Sequence, residues 1–193
     1  RSFQAHRKRG AVDMDLLNGW TIAVPLGALL ATVVAAYVSS EGLRLFFAVM
    51  GLVLAARMLF LSNRMHLGTE LPGQPFRFLT GSAIGLFSGL MGVGGGVFNN
   101  TFMTLYGRPI HQAVATSSGV GVLISIPAFF GFIYAGWGEA GLPPFSTGFV
   151  NWIAFAVIFP IAMLVTPYGA QLEMGFALFL LFVSVRFFWT LVG

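Results

Sequence analysis

Cysteine is missing from all 193 residues, so no disulfide, thiolate nucleophile or thiolate metal site can form. Charge is scarce: Asp, Glu, Lys and Arg together make up 8% of the chain. A water-soluble domain carries about a quarter of its residues as charges, so this chain cannot cover a globule with a hydrated surface. Acids are missing from the middle of every apolar run. Asp13 and Asp15 precede the first run, Glu41, Glu70 and Glu139 lie between runs, and Glu173 opens the last. An obvious carboxylate proton relay or mid-membrane cation site is thereby excluded. The histidines show no metal-ligand spacing, and no nucleophile accompanies a base. No catalytic set, metal or cofactor is expected.

The formal net charge of +4 gives no nucleic-acid signal. Much of it is Arg1, Arg7, Lys8 and Arg9, just ahead of an apolar span, where basic residues mark the cytoplasmic side. The chain starts with Arg rather than Met and reads as truncated or processed at its N-terminus. A basic run followed by a full-length span without a small-residue cleavage site does not fit a secretory signal peptide.

What the chain has is apolar length. Hydrophobic residues make up 57% of it and mean hydropathy is +0.87. The runs are long enough to cross a bilayer, which takes about 20 residues. Six spans are expected, at Leu16–Val38, Leu43–Leu61, Phe78–Leu105, Ala113–Ala135, Phe149–Thr166 and Leu172–Val192. The expected fold is all-α, a polytopic transmembrane helix bundle. Ser39-Ser40-Glu41-Gly42, the polar stretch Asn63–Arg77, Tyr106-Gly107-Arg108-Pro109 and Gly138–Ser146 punctuate the spans. With the N-terminus inside, Arg64 and Arg77 join the basic segment on the cytoplasmic side, and Arg44 and Arg108 lie outside. An even number of crossings then puts the C-terminus inside as well. The third span is longer than a bilayer needs and leaves room for a hairpin in place of a crossing.

Residues 43–59 slide onto 172–188. Leu43 falls on Leu172, Phe47 on Phe176, Ala48 on Ala177, Leu52 on Leu181 and Arg57 on Arg186. The arginine match carries the weight, because arginine is rare here and costly in a membrane. Each arginine can snorkel to headgroups or contact a solute. The repeat implies that residues 1–62 hold the last two helices of a first half. Residues 63–76 connect them to a complete second half of four helices at 77–193. Two further helices would precede Arg1.

The third span contains the strongest local signal, GLFSGLMGVGGG at Gly85–Gly96. Gly81, Gly85 and Gly89 recur every four residues on one helix face, which suits close helix packing in lipid. Gly92, Gly94, Gly95 and Gly96 add nothing to packing, and each weakens a helix by about 1 kcal/mol relative to Ala. They predict an unwound segment at mid-membrane, tolerated where it is buried or lines a wet cavity. Freed N–H groups with the next half-helix N-terminus make an anion-binding concavity, a recurring device of secondary transporters. Without mid-span acids, an anion suits the site better than a cation.

Asn99, Asn100 and Thr101 follow inside an apolar span. They either cap or face a solute, or hydrogen-bond between helices. Ala115-Thr116-Ser117-Ser118-Gly119 either lines a cavity or back-bonds one turn up. Pro25, Pro127 and Pro160 are expected to kink their spans or free a carbonyl. His111 is read as interfacial rather than proton-coupling, and Arg108 as a solvated turn residue or an attractor of anions.

Gly85–Gly96, followed by GRPIHQAVATSS at Gly107–Ser118 and the arginine near the end of the last helix, resembles the sulfite exporter TauE/SafE family of membrane transporters. The resemblance covers nearly the whole chain. It implies two related four-helix halves, each opening with such a glycine-rich segment. It also implies export of small anions across the bacterial inner membrane, with sulfite and organosulfur anions such as sulfonates or sulfoacetate as candidates. By position, Ser88, Gly92, Gly94, Gly95, Gly96, Thr116, Ser117 and Ser118 would line the path. Asn99-Asn100-Thr101 stand where many members have an apolar run with a proline, and the first glycine-rich segment is absent. Expected partners are a small anionic solute, the lipid bilayer, the missing N-terminal helices of the same protein and, left open, a homo-oligomer; nucleic acid is not among them. The rival reading is a non-transporting membrane subunit that scaffolds a partner.

Overall fold

The computed structural model describes residues 11–57, 59, 67–68, 71–165 and 173–192. The expected ends at Leu61, Thr166 and Leu172, the basic residues 1–9, Arg64 and Glu70 lie outside them. Among the described residues the chain is mostly helical: α1 Met14–Gly19, α2 Ala23–Tyr37, α3 Ser40–Ala56, α4 Phe76–Met91, α5 Gly96–Leu105, α6 Ile110–Ala135, α7 Trp152–Val165 and α8 Glu173–Val192. The exception to an all-α chain is a short antiparallel pair, β1 Ser146–Thr147 with β2 Val150–Asn151. Two compact units form. One is Arg1–Ala35 with Met65–Gly131, the other Ala36–Arg64 with Phe132–Gly193.

In the first unit, the expected first span is two helices. Asp13 caps α1 by accepting from the Leu16 N–H at 3.0 Å. The chain turns at Trp20 and restarts as α2, with Pro25 in its first turn; the Val24 and Leu26 N–H groups donate to the Trp20 and Ile22 carbonyls at 3.1 Å, and Pro25, lacking an N–H, leaves the Thr21 carbonyl between them without a helical donor. The expected first span is thus interrupted at residues 20–22, where Pro25 leaves the carbonyl of Thr21 free. Trp20 is wholly buried, and its indole N–H donates to the Arg77 carbonyl at 2.7 Å. Leu16, Val24, Ala28, Ile84, Met103, Val120 and Ile124 form the core around it.

α4 packs against α1 and α2 through the glycine ridge. A Cβ on Gly81 would stand 2.5 Å from Trp20 Cδ1, one on Gly89 would stand 2.7 Å from the Ala31 Cβ, and one on Gly85 would overlap the Val24 carbonyl oxygen. Gly27 answers from α2, facing the Ser82 carbonyl. The packing role expected for these glycines is what the geometry displays.

The third span is not one crossing. α4 ends at Met91 and α5 begins at Gly96, and the chain doubles back between them. Phe87 and Phe98 face each other near the tip, with ring centroids 6.0 Å apart. Trp20 touches both arms, meeting Gly81 and lying 5.3 Å from Phe102. At the base, Arg77 and Arg108 line one cavity, and the Leu67 N–H donates to the Leu105 carbonyl at 2.7 Å. Arg77 and Arg108, expected on opposite membrane faces, therefore share one end of this unit. The physical reason is the glycine run, which turns the backbone round where a helix would have carried it across.

α6 is the one described helix both long and apolar enough to cross a membrane, at 26 residues. Pro127 sits inside it without ending it. Ala23–Tyr37, Phe76–Met91, Trp152–Leu164 and Leu178–Thr190 are shorter apolar helices.

In the second unit, α3 and α8 pack antiparallel. Gly51 meets the Ser184 hydroxyl, and Phe47 lies 5.5 Å from Phe187. The residues of α7 from Trp152 to Leu164 are all exposed, and apolar surface of that kind suits lipid as solvent better than water.

Candidate functional site

The break at the hairpin tip is built from backbone. Gly92 closes α4 in the left-handed region (φ 68°), and the Val93 N–H donates back to the Ser88 carbonyl at 3.3 Å, a Schellman-type ending. Gly94 (φ 63°) and Gly95 (φ 77°) stay left-handed. Any residue with a Cβ would be strained there by about 1–2 kcal/mol. Gly95 is also crowded, since a Cβ on it would stand 2.5 Å from Ile124 Cδ1 and 3.0 Å from Val120 Cγ1. Gly92, Gly94 and Gly96 differ: a Cβ on any of them would meet nothing within 4 Å. One side of the turn is packed on α6 and the other is open.

The N–H groups of Gly94, Gly95, Gly96, Val97 and Phe98 have no hydrogen-bond acceptor among the described residues. The last three belong to the first turn of α5, which has no side-chain cap. Five bare amides in sequence, at the positive end of a ten-residue helix dipole, are donors of the kind an anion can accept from. Ser88 is wholly buried, its hydroxyl has no partner among the described residues, and it lies 3.8 Å from where a Gly95 Cβ would be. It sits under the packed side of the turn.

The polar side chains that follow hold the tip in place. Asn99 is buried, and its Nδ2 donates to the Ser117 hydroxyl at 2.7 Å and to the Ala113 carbonyl at 3.3 Å. The Ser117 hydroxyl donates to Asn100 Oδ1 at 2.7 Å. This network fastens α5 to α6, which is the interhelical alternative for these residues. Because Asn99 and Asn100 share Ser117, their bonds hold the first turn of α5, and with it the bare amides, in one orientation.

The hydroxyl run at 116–118 does not line one surface. Thr116 is wholly buried and accepts from the Asp13 N–H at 2.9 Å. Ser117 joins the asparagines, and Ser118 donates to the Ala115 carbonyl at 2.6 Å. Successive residues on a helix point about 100° apart, so three in a row diverge. The structure thus gathers Ser88, Gly92, Gly94, Gly95, Gly96, Asn99, Asn100 and Ser117 at the tip, and places Thr116 and Ser118 elsewhere.

Sequence reasoning missed the hairpin base, where Asp13, Arg77 and Arg108 meet. Their numbers lie far apart, and the only available hint was the excess length of the third span. His111 is exposed beside this end.

A family model described as Sulfite exporter TauE/SafE matches residues 1–187. A protein of Haemophilus influenzae described as a probable membrane transporter protein is 28% identical over 196 residues, covering 97% of this chain and 74% of its own length. No solved structure matches the chain.

Proposed function

This chain belongs to the sulfite exporter TauE/SafE family, and from that premise we propose that it is the larger part of a secondary transporter that exports small anions. Sulfite or organosulfur anions such as sulfonates are the solutes. The observation that carries the reading is the row of unpaired amides at Gly94–Phe98 beside open space at Gly92, Gly94 and Gly96. Backbone donors fixed in this way suit an oxyanion and offer nothing to a cation.

The duplication belongs to this proposal. Sliding residues 43–59 onto 172–188 places Gly51 on Leu180. A Cβ on Gly51 would stand 3.8 Å from the Leu180 carbonyl oxygen, in a helix pair that runs antiparallel. Equivalent positions that meet in an antiparallel pair are what a local two-fold axis produces. The hairpin supports the same arrangement, since it leaves three crossing helices per half, an odd number that inverts the second half. Inverted halves are a common basis of alternating access. The location is the bacterial inner membrane. With Arg108 beside Arg77, the basic side is fuller than the sequence count made it, and that side is cytoplasmic. The C-terminus then exits on the far side, because the count that kept it inside treated the hairpin as a crossing.

The test is sulfite and sulfonate flux in proteoliposomes. Gly96→Ala is the informative variant, because a methyl there meets open space and imposes no left-handed strain. Transport at the tip predicts that flux falls at least tenfold with assembly unchanged. If the glycines serve only packing in a non-transporting scaffold, this substitution is silent. Absence of flux above empty vesicles for every anion tried would sink the transport reading.

A further inference from the structure

At the base of the hairpin lies a cavity of about 370 Å³ lined by Asp13, Asp15, Arg77, Arg108 and Gln112 among others. It is distinct from the glycine tip. The ten residues of α5 separate the two, roughly 15 Å at helical rise. Arg77 reaches it from the first turn of α4 and Arg108 from just beyond α5, so the two arms of the hairpin deliver one cation each.

These arginines are incompletely satisfied. The Nε of each is buried and has no hydrogen-bond acceptor among the described residues. Arg77 Nη1 reaches only the Asp15 carbonyl, at 3.5 Å. Arg108 Nε lies 3.8 Å from Asp13 Oδ2, an ion pair too long to be a hydrogen bond. Asp13 cannot easily move closer: its Oδ1 caps α1 and its N–H is held by Thr116. Two guanidinium groups lining one polar cavity, neither fully paired within the protein, call for an acceptor with several oxygens, and planar forked donors match oxyanions. The Arg108 side chain keeps 38% exposure, so the cavity opens to water and a solute can reach it.

We propose that this cavity is a second oxyanion site, in which the Asp13 carboxylate is the resident ligand that an arriving anion displaces from Arg108. The ligand is a soluble oxyanion such as sulfite or sulfate, an assignment that rests on the anion-transport reading. A lipid phosphate shares the chemistry and is separated by the test. With two acids beside two arginines the site is weak by construction, which suits a loading site that must release its solute.

The experiment measures sulfate binding by calorimetry, with the protein in phosphatidylcholine nanodiscs. Sulfate is used because it is redox-inert. Arg77→Gln and Arg108→Gln should each weaken binding tenfold or more. Asp13→Asn should tighten it several-fold, since Asn still caps the helix and no longer competes. Loss of binding in the arginine variants could come from misfolding, but a gain in Asp13→Asn could not. Unchanged affinity in Arg108→Gln, or no gain in Asp13→Asn, overturns the proposal. Sulfate binding that survives in discs containing phosphatidylglycerol supports a soluble ligand, whereas its displacement there assigns the cavity to lipid phosphate and overturns that choice. Gly96→Ala keeps the two readings apart: silent flux in that variant with arginine-dependent sulfate binding intact sinks the tip and leaves this cavity standing.

Discussion

Gly85 on α4 lies so close to the Val24 carbonyl oxygen on α2 that a methyl group on it would overlap that atom. The neighbour is backbone and cannot rotate away. Gly85→Ala must therefore push two helices apart, and overpacking of this kind costs about 1–3 kcal/mol. We expect a lower unfolding midpoint in detergent for Gly85→Ala, while Gly96→Ala stays near the parent value. Equal midpoints for the two variants would show that the ridge is not the contact that holds α4.

Gly96, Gly92 and Gly95 make a graded series, the first without left-handed strain and the other two in the left-handed region. Gly92→Ala meets open space and bears only backbone strain, about 1–2 kcal/mol. Gly95→Ala bears similar strain and in addition strikes Ile124 and Val120. Stability should fall in the order Gly96→Ala, Gly92→Ala, Gly95→Ala, with the last the least stable, as read by thermal unfolding. A flat series would mean that the tip does not adopt this turn.

Asn99 donates within the protein at 2.7 Å to the Ser117 hydroxyl, and that hydroxyl donates in turn to Asn100 Oδ1. Asn99→Leu leaves a buried hydroxyl and a carbonyl without their donor, a loss of about 1–3 kcal/mol. Ser117→Ala should cost less, because it removes a small group. Since this network orients the first turn of α5, both variants should also lower flux by more than their loss of folded protein explains. Flux that simply tracks folded fraction would reduce the network to a fastener.

The chain has no cysteine, so single cysteines report membrane sidedness without a background. Gln74 and His111 are exposed and flank the hairpin. Gln74→Cys and His111→Cys should both label from the cytoplasmic side with an impermeant maleimide. Glu41→Cys and Glu139→Cys should label from the other side, together with a cysteine appended after Gly193. Labelling of Gln74→Cys and His111→Cys from opposite sides would restore a simple crossing and remove the inverted halves.

Much of this could be seen in the residues alone. Low charge and long apolar runs set lipid as the solvent, because no folding of such a chain can produce a hydrated surface. The spacing of Gly81, Gly85 and Gly89 foretold a packed ridge, since a period of four on a helix is one face whatever lies opposite. The cluster Gly92–Gly96 foretold a break, since glycine's backbone freedom is local. Direction was decided in three dimensions. Whether a broken helix continues or doubles back depends on what packs against its second half, here Trp20 between Gly81 and Phe102, and Asn99 on Ser117. For the same reason only the tertiary structure could bring Asp13, Arg77 and Arg108 into one cavity, or turn Thr116, Ser117 and Ser118 to three different partners. Local composition determines where a chain bends and what solvent it accepts, while contacts between distant segments determine which way it goes and which side chains meet.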